Sequence, residues 1–359
     1  MKWLLVLVPL AIALEHLAPG NDLLIFAVAA LGIVPLASIM ASATGALATR
    51  LGAGLGGLLN ATFGNAAELI IALAALRGGL HEMVKASIAG TIIGNILFVL
   101  GVAMVVGGSR HGDQTYDARA ARTQATMLTL AAIALILPAA YLNIVPQAEP
   151  QMNSISALIA CILLAVYVAN VAFTLVRSRA DVAAAAAAGQ AHDAGGGHHA
   201  PQWSPRKALL VLCAVTLGIV WLSEILVGTV EAASEAMGFS DAFTGVFVLA
   251  VIGGAAEQAT AIVAARQNRM DLSMSISLGA SVQLALLVAP LLVLLSYFIG
   301  PHPMGLVFGP GLVLTILFAV IIAGQVASDG RADWLRGVQL LAVYLILAAV
   351  FFFVPDAAG

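Results

Sequence analysis

The sequence predicts an all-α membrane protein of about 11 transmembrane helices, with helix 1 followed by two inverted five-helix repeats. Three observations lead there: the composition, the length of the apolar stretches, and a self-similarity at a fixed shift. Of 359 residues, 62% are apolar and only 9% are charged, with no charge-rich half standing apart. That profile belongs to polytopic membrane proteins, so the expected surroundings are a lipid bilayer and nucleic acid is not an expected partner. The net charge of −3 says little, because in a membrane the positions of Lys and Arg matter rather than their sum.

A bilayer core is about 30 Å thick and a helix rises about 1.5 Å per residue, so about 20 apolar residues make one crossing. On that measure the crossings fall near 3–18, 23–48, 57–76, 84–106, 122–142, 153–176, 207–230, 242–265, 272–298, 305–326 and 335–353. The first is read as a membrane helix, since no small-x-small cleavage site precedes Glu15-His16-Leu17-Ala18-Pro19. Between the sixth and seventh stretches lies the long hydrophilic connection, Arg179 to Pro205, with an alanine run, three glycines, and His192, Asp193, His198 and His199. It reads as a flexible linker. The chain thus divides into a first helix (1–20), an N-terminal five-helix repeat (21–178), a cytoplasmic linker (179–205) and a C-terminal five-helix repeat (206–359). Cys161 and Cys213 sit inside apolar stretches without a Cys/His cluster and read as small core hydrophobes.

Orientation follows from the basic residues. With the amino terminus in the cytoplasm, thirteen of the fifteen Lys and Arg residues lie inside, and Arg77 and Lys85 alone lie outside. The carboxyl terminus is then outside. The expected location is a bacterial cytoplasmic membrane.

Shifted by 189 residues, Gly64, Ala66, Ala67, Glu68, Ala72, Ala75, Arg77, Gly90 and Leu97 fall without a gap on Gly253, Ala255, Ala256, Glu257, Ala261, Ala264, Arg266, Gly279 and Leu286. Five crossings per copy make the second copy enter the membrane from the opposite side, an arrangement typical of secondary transporters. Small residues alone would serve close helix packing, which does not account for two glutamates at equivalent midspan positions. A charge at membrane depth costs several kcal/mol, so such residues face a bundle interior or a water-filled cavity and mark an ion or proton path.

Two glutamates facing one cavity repel when both are ionised, and desolvation favours the neutral acid, so the pair holds protons readily. A divalent cation reverses the balance. Ca²⁺ takes six to eight oxygen ligands from carboxylates, amides, carbonyls and water. Glu68 and Glu257 supply the acids, and Asn65, Asn95 and Gln283 can supply amide oxygens, with Glu68, Glu257 and Asn65 the expected metal ligands. Glycine-weakened helices at Gly64 and Gly253 can add backbone carbonyls. A site that holds either protons or a cation gives exchange once it faces each side in turn. No cofactor is expected, because the cation is cargo.

The run Gly57-Leu58-Leu59-Asn60-Ala61-Thr62-Phe63-Gly64-Asn65-Ala66-Ala67-Glu68-Leu69-Ile70 closely resembles the first signature of the cation/proton exchanger (CAX) family of the calcium/cation antiporter superfamily. Asn65 and Glu68 match its cation-binding amide and acid, and Gly90-Thr91-Ile92-Ile93-Gly94-Asn95 and Gly279-Ala280-Ser281-Val282-Gln283 resemble its further amide-bearing segments. The resemblance covers almost the whole chain. It implies an eleven-helix exchanger of Ca²⁺, or a related cation, for protons. The family's second signature reads Gly-Asn-Ala-Ala-Glu-His, whereas here its Asn position is Gly254 and its His position is Gln258. The acidic stretch expected in the central linker is likewise replaced by alanines and histidines.

Three residues are candidates for supporting the ligands from behind: Gln258, Ser281 and Glu224, the last being either a proton relay or a helix-to-helix hydrogen bond. Glu231, Glu235 and Asp241 read as a solvated outer mouth. Rival functions are a Na⁺ or K⁺/H⁺ antiporter, a sodium-coupled exchanger of the same superfamily, an intramembrane hydrolase and a channel. The hydrolase lacks its motif, since His81-Glu82-Met83-Val84-Lys85 has no second His, and nothing resembles a ring of filter residues. Homo-oligomerisation is left open.

Overall fold

Helices carry the apolar stretches because backbone polar groups in lipid must be satisfied within the segment. In chain order they are α1 (Leu7–Leu17), α2 (Asp22–Gly64), α3 (Ala66–Arg77), α4 (His81–His111), α5 (Ala118–Ile144), α6 (Met152–Ala187), α7 (Pro205–Met237), α8 (Asp241–Arg266), α9 (Met270–Leu295), α10 (Pro310–Asp329) and α11 (Trp334–Phe352). The structure, a computed structural model, describes residues 2–187 and 203–353. Nine helices among the described residues are long and apolar enough to cross a membrane, while the first apolar helix, Trp3–Leu17, and α3 are shorter. Side-chain caps set several starts: Asp117 accepts from the amides of Arg119 and Ala120 at α5, Ser204 from Lys207 at α7, and Asp333 from Arg336 at α11. Gly238 and Gly330, at φ of 71° and 69°, end α7 and α10 in the left-handed conformation that glycine adopts without steric cost.

Three departures from the sequence expectation have physical causes. Helical turns continue through the expected gap at 49–56 although the second apolar span ends at Leu51, and the Ala48 carbonyl oxygen occupies the place that a Cβ on Gly56 would take. Eight residues along a straight helix span about 12 Å. α2 therefore folds back on itself there, where the run Gly52 to Gly57 is poor in helix formers. The alanine run of the connection, expected to be flexible, is helical as far as Ala187, in keeping with alanine's top helix propensity. His192, Asp193, His198 and His199 lie outside the described residues. Cys161 and Cys213 are free thiols, but both are exposed on helix surfaces rather than set in the core.

The helices sort into two packed bodies. One buried cluster joins α1, α2 and α7 with Ala66, Ala67 and Ile71 of α3, Met83 of α4 and Leu249 of α8, and the other gathers the rest of the buried α4 and α8 with α5, α6, α9, α10, α11 and the far end of α3. Between these apolar cores lies the site. The chain turns also collect at two ends. At one end Arg50 donates to the Trp203 carbonyl, Gln114 donates to the Ala265 carbonyl at 3.0 Å and to Asn268 Oδ1 at 2.9 Å, and strands β1 (Gln114–Thr115) and β2 (Arg331–Ala332) pair antiparallel. At the opposite end the Tyr297 hydroxyl donates to the Asn153 carbonyl, the His81 and His302 rings lie 4.1 Å apart, and Arg77 pairs with Glu224 at 2.7 Å.

Candidate cation-binding site

The helical path breaks once between the two ends of the glutamate motif. Asn65, at φ −100° and ψ 23°, separates α2 from α3, so the interruption falls one residue past the expected Gly64. Its counterpart helix is continuous through Gly253 instead, and the irregularity there is a π-helical stretch at Thr244–Leu249. Further π-helical stretches occupy Gly94–Val99 of α4 and Leu284–Val288 of α9. The 189-residue shift takes the first almost onto the second, so the two halves carry the same local fault beside Asn95 and Gln283. Such bulges loosen the regular hydrogen-bond ladder and recur at functional sites.

The two glutamates are brought together across the halves. A Cβ on Gly64 would stand 3.2 Å from Glu257 Oε1 and 3.8 Å from Gln283 Oε1, while a Cβ on Gly253 would stand 3.1 Å from Glu68 Cγ. Each glycine leaves room for the other half's acid. Glu68 is 9% exposed and Glu257 is half-buried. Asn65 Nδ2 donates to Gln283 Oε1 at 2.5 Å, and Asn65 Oδ1 is buried with no hydrogen-bond partner among the described residues. That leaves an amide oxygen free to accept a ligand, since an unpaired buried acceptor otherwise carries its full desolvation cost. Asn95 is 3% exposed at the head of its π-helical stretch. Among the described residues no cluster of three or more His, Cys, Asp or Glu side chains exists. Two acids and amide oxygens suit a hard cation better than a transition metal.

A cavity of about 570 Å³ reaches Glu257, Gln283 and Gly64. Its walls come from the parts of α2, α5, α8 and α9 nearest the Arg50 end, including Ser42, Thr44, Gln124, Thr260 and Ser275. At the opposite end α4 and α8 are pressed together: a Cβ on Gly90 would run into the Val246 carbonyl oxygen, and one on Gly245 would meet Ala86 Cβ at 2.5 Å. Gly279, the repeat partner of Gly90, has only Gln124 Nε2 near it, at 3.8 Å. One end is therefore closed and the other open to the glutamates.

The remaining predicted residues are scattered. Ser281 is fully buried and donates to its own helix at the Ser277 carbonyl. Gln258 is 5% exposed, lies over Gly254 and donates to the Ala250 carbonyl at 3.4 Å. Glu224 pairs with Arg77, nine residues beyond Glu68, or about 13 Å along a helix. It is 46% exposed by side chain and makes neither a buried helix-to-helix bond nor a contact with the glutamates. Glu231, Glu235 and Asp241 are exposed, as a solvated face requires. Sequence reasoning missed Thr44 and Gln124 on the cavity wall. The polar spacing Ser38, Ser42 on α2 was the available signal for that wall, and Gln124 had none.

The sodium/calcium exchanger protein family matches residues 21–176 and 207–353. A Ca²⁺/H⁺ antiporter of Synechocystis sp. is 42% identical, with 98% of this chain and 96% of that protein covered. The Ca²⁺/H⁺ antiporter ChaA of Bacillus subtilis is 38% identical over 96% of each chain. The solved structure of native YfkE superposes with a TM-score of 0.82 at 34% identity, covering 98% of this chain and all of that one. Taken with the near-complete coverage, these matches place the chain in the sodium/calcium exchanger protein family, alongside these Ca²⁺/H⁺ antiporters.

Proposed function

We propose that the chain is a Ca²⁺/H⁺ antiporter that works by alternating access at Glu68 and Glu257. The observation that carries the reading is the reciprocal fit of Gly64 to Glu257 and of Gly253 to Glu68. Two carboxylates drawn together across the halves cancel the charge of a divalent cation when ionised, and release it as protons return. The unpaired Asn65 Oδ1 supports a role as an additional ligand. The relatives' activities support Ca²⁺ as the cation. The proposal includes eleven crossings, two inverted five-helix repeats after α1, a cytoplasmic amino terminus and linker, and an outer carboxyl terminus. The basic residues of the turns at the Arg50 end support this orientation, and it makes the open cavity face the cytoplasm.

The test replaces each acid singly. Glu68→Gln and Glu257→Gln keep an oxygen but cannot release a proton, so each abolishes Ca²⁺-dependent proton flux in proteoliposomes while the protein stays monodisperse in detergent. Near-normal flux in either variant would remove the two-carboxylate mechanism. A panel of Ca²⁺, Na⁺ and K⁺ on the same vesicles separates this exchange from the monovalent and sodium-coupled alternatives.

A further inference from the structure

The cavity has one polar wall that the glutamates do not explain. Gln124, early in α5, is half-buried and lines the cavity with Glu257 and Gln283. Among the described residues its Oε1 is shielded and without a hydrogen-bond partner, while its Nε2 is the side-chain atom nearest Gly279. On the same cavity Thr44, 1% exposed, has a hydroxyl that also lacks a partner among the described residues. A long polar side chain left unsatisfied in an apolar bundle costs stability, and an apolar residue of the same length would fill the space without that cost.

We infer that Gln124 handles the cation on its way between the cytoplasmic opening and Glu257, its amide oxygen standing in for a water of the hydrated ion. The terminal amide torsion is broad and roughly two-fold, so a half-turn brings Oε1 to the Gly279 side of the cavity. That turn breaks no bond to Oε1 from the described residues. A divalent ion sheds its water one ligand at a time, and a wall oxygen that replaces one of them eases the passage to the two-carboxylate site. The effect is confined to the open cavity, because the wall lies on the Arg50 side of Glu257 and the opposite end is shut by Gly90 against Val246.

This rests on the proposed exchange, and the experiment keeps the two apart. Full-length parent, Gln124→Leu and Gln124→Glu are reconstituted, and Ca²⁺-dependent proton flux is measured with Ca²⁺ added at the cytoplasmic face and, separately, at the outer face. Leucine offers the ion no oxygen, and an oxygen ligand comparable to one hydrogen bond corresponds to about fivefold in affinity, so Gln124→Leu raises the half-saturating Ca²⁺ at the cytoplasmic face by about that factor. Gln124→Glu lowers it, and neither variant changes the value at the outer face. Equal shifts at both faces, or none in an active variant, overturn the role of Gln124 while leaving the exchange reading intact. Should the leucine variant not fold, the isosteric glutamate variant carries the test alone. A parent without Ca²⁺-driven proton flux sinks the exchange reading and this inference with it.

Discussion

Gly254→Asn restores the amide of the second family signature, and the structure sets what it meets. A Cβ at Gly254 would lie 2.7 Å from Gln258 Nε2 and 3.4 Å from its Cδ. No ordinary contact is that short, so Gln258 must move. It can, because the blocking atom is the far end of a flexible side chain whose bond to the Ala250 carbonyl is long, at 3.4 Å. Losing that bond costs about 1 kcal/mol at most, and Asn in place of Gly returns a few tenths in helix propensity. The variant therefore folds, with an unfolding midpoint lowered by about 2 °C or less. An added amide oxygen on the ion contributes on the order of 1 kcal/mol, or about fivefold in Ca²⁺ preference over Na⁺ and K⁺. The assay is Ca²⁺ uptake in vesicles under competition by each monovalent ion. Gly254→Asn with Gln258→Ala clears the space and shows the gain even if the single variant is blocked. An active double variant with unchanged selectivity would refute the premise that position 254 faces the ion.

Three shorter tests follow. Gly90→Ala drives a methyl into the Val246 carbonyl oxygen, where backbone cannot yield, whereas among the described residues nothing lies within 4 Å of a Cβ on Gly94; the first loses expression or about 3 kcal/mol of stability and Gly94→Ala folds, as monodisperse yield reports. Glu224→Gln keeps Ca²⁺ transport within a fewfold of the parent, in contrast to Glu68→Gln, because its partner is the exposed Arg77 and such pairs contribute about 1 kcal/mol or less. A reporter fused at Gly359 scores as external, and a cytoplasmic score would remove the inverted-repeat orientation.

The sequence made the acids and their glycines readable, because burying a carboxylate in an apolar span is costly enough to require a purpose. It did not make readable where the backbone yields. Gly64 has the freedom to break a helix, yet the break sits at Asn65, which is drawn across to Gln283, and Gly253 continues unbroken. Propensity sets what a residue can do, and the contact from the other half decides which residue does it. Gln258 is a similar case: in sequence it is a departure at a histidine position, and only the fold shows it lying over the gap left by Gly254. Gln124 carried no periodic signal at all, since one polar residue near a helix end fits a membrane interface as well as a cavity wall.

The reciprocal packing explains why the same short motif occurs twice. In the unbroken α8, Gly253 and Glu257, four residues apart, lie on one helix face, and across the break at Asn65 Gly64 still turns toward the other half, so each motif presents an acid and a bare patch of backbone. When two such faces cross in opposite directions, acid meets patch in both places, as Glu257 meets Gly64 and Glu68 meets Gly253. The match is then nearly symmetric at the centre and unequal only toward the ends. Gly90 is pressed onto Val246 while its partner Gly279 opens onto the cavity. In the proposed alternating-access cycle, exchanging those two relationships closes the Arg50 end and opens the other while the central pair stays together. On the proposed inverted-repeat reading, one half holds the packing that the other half adopts in turn, and the difference between the ends is the proposed conformational change.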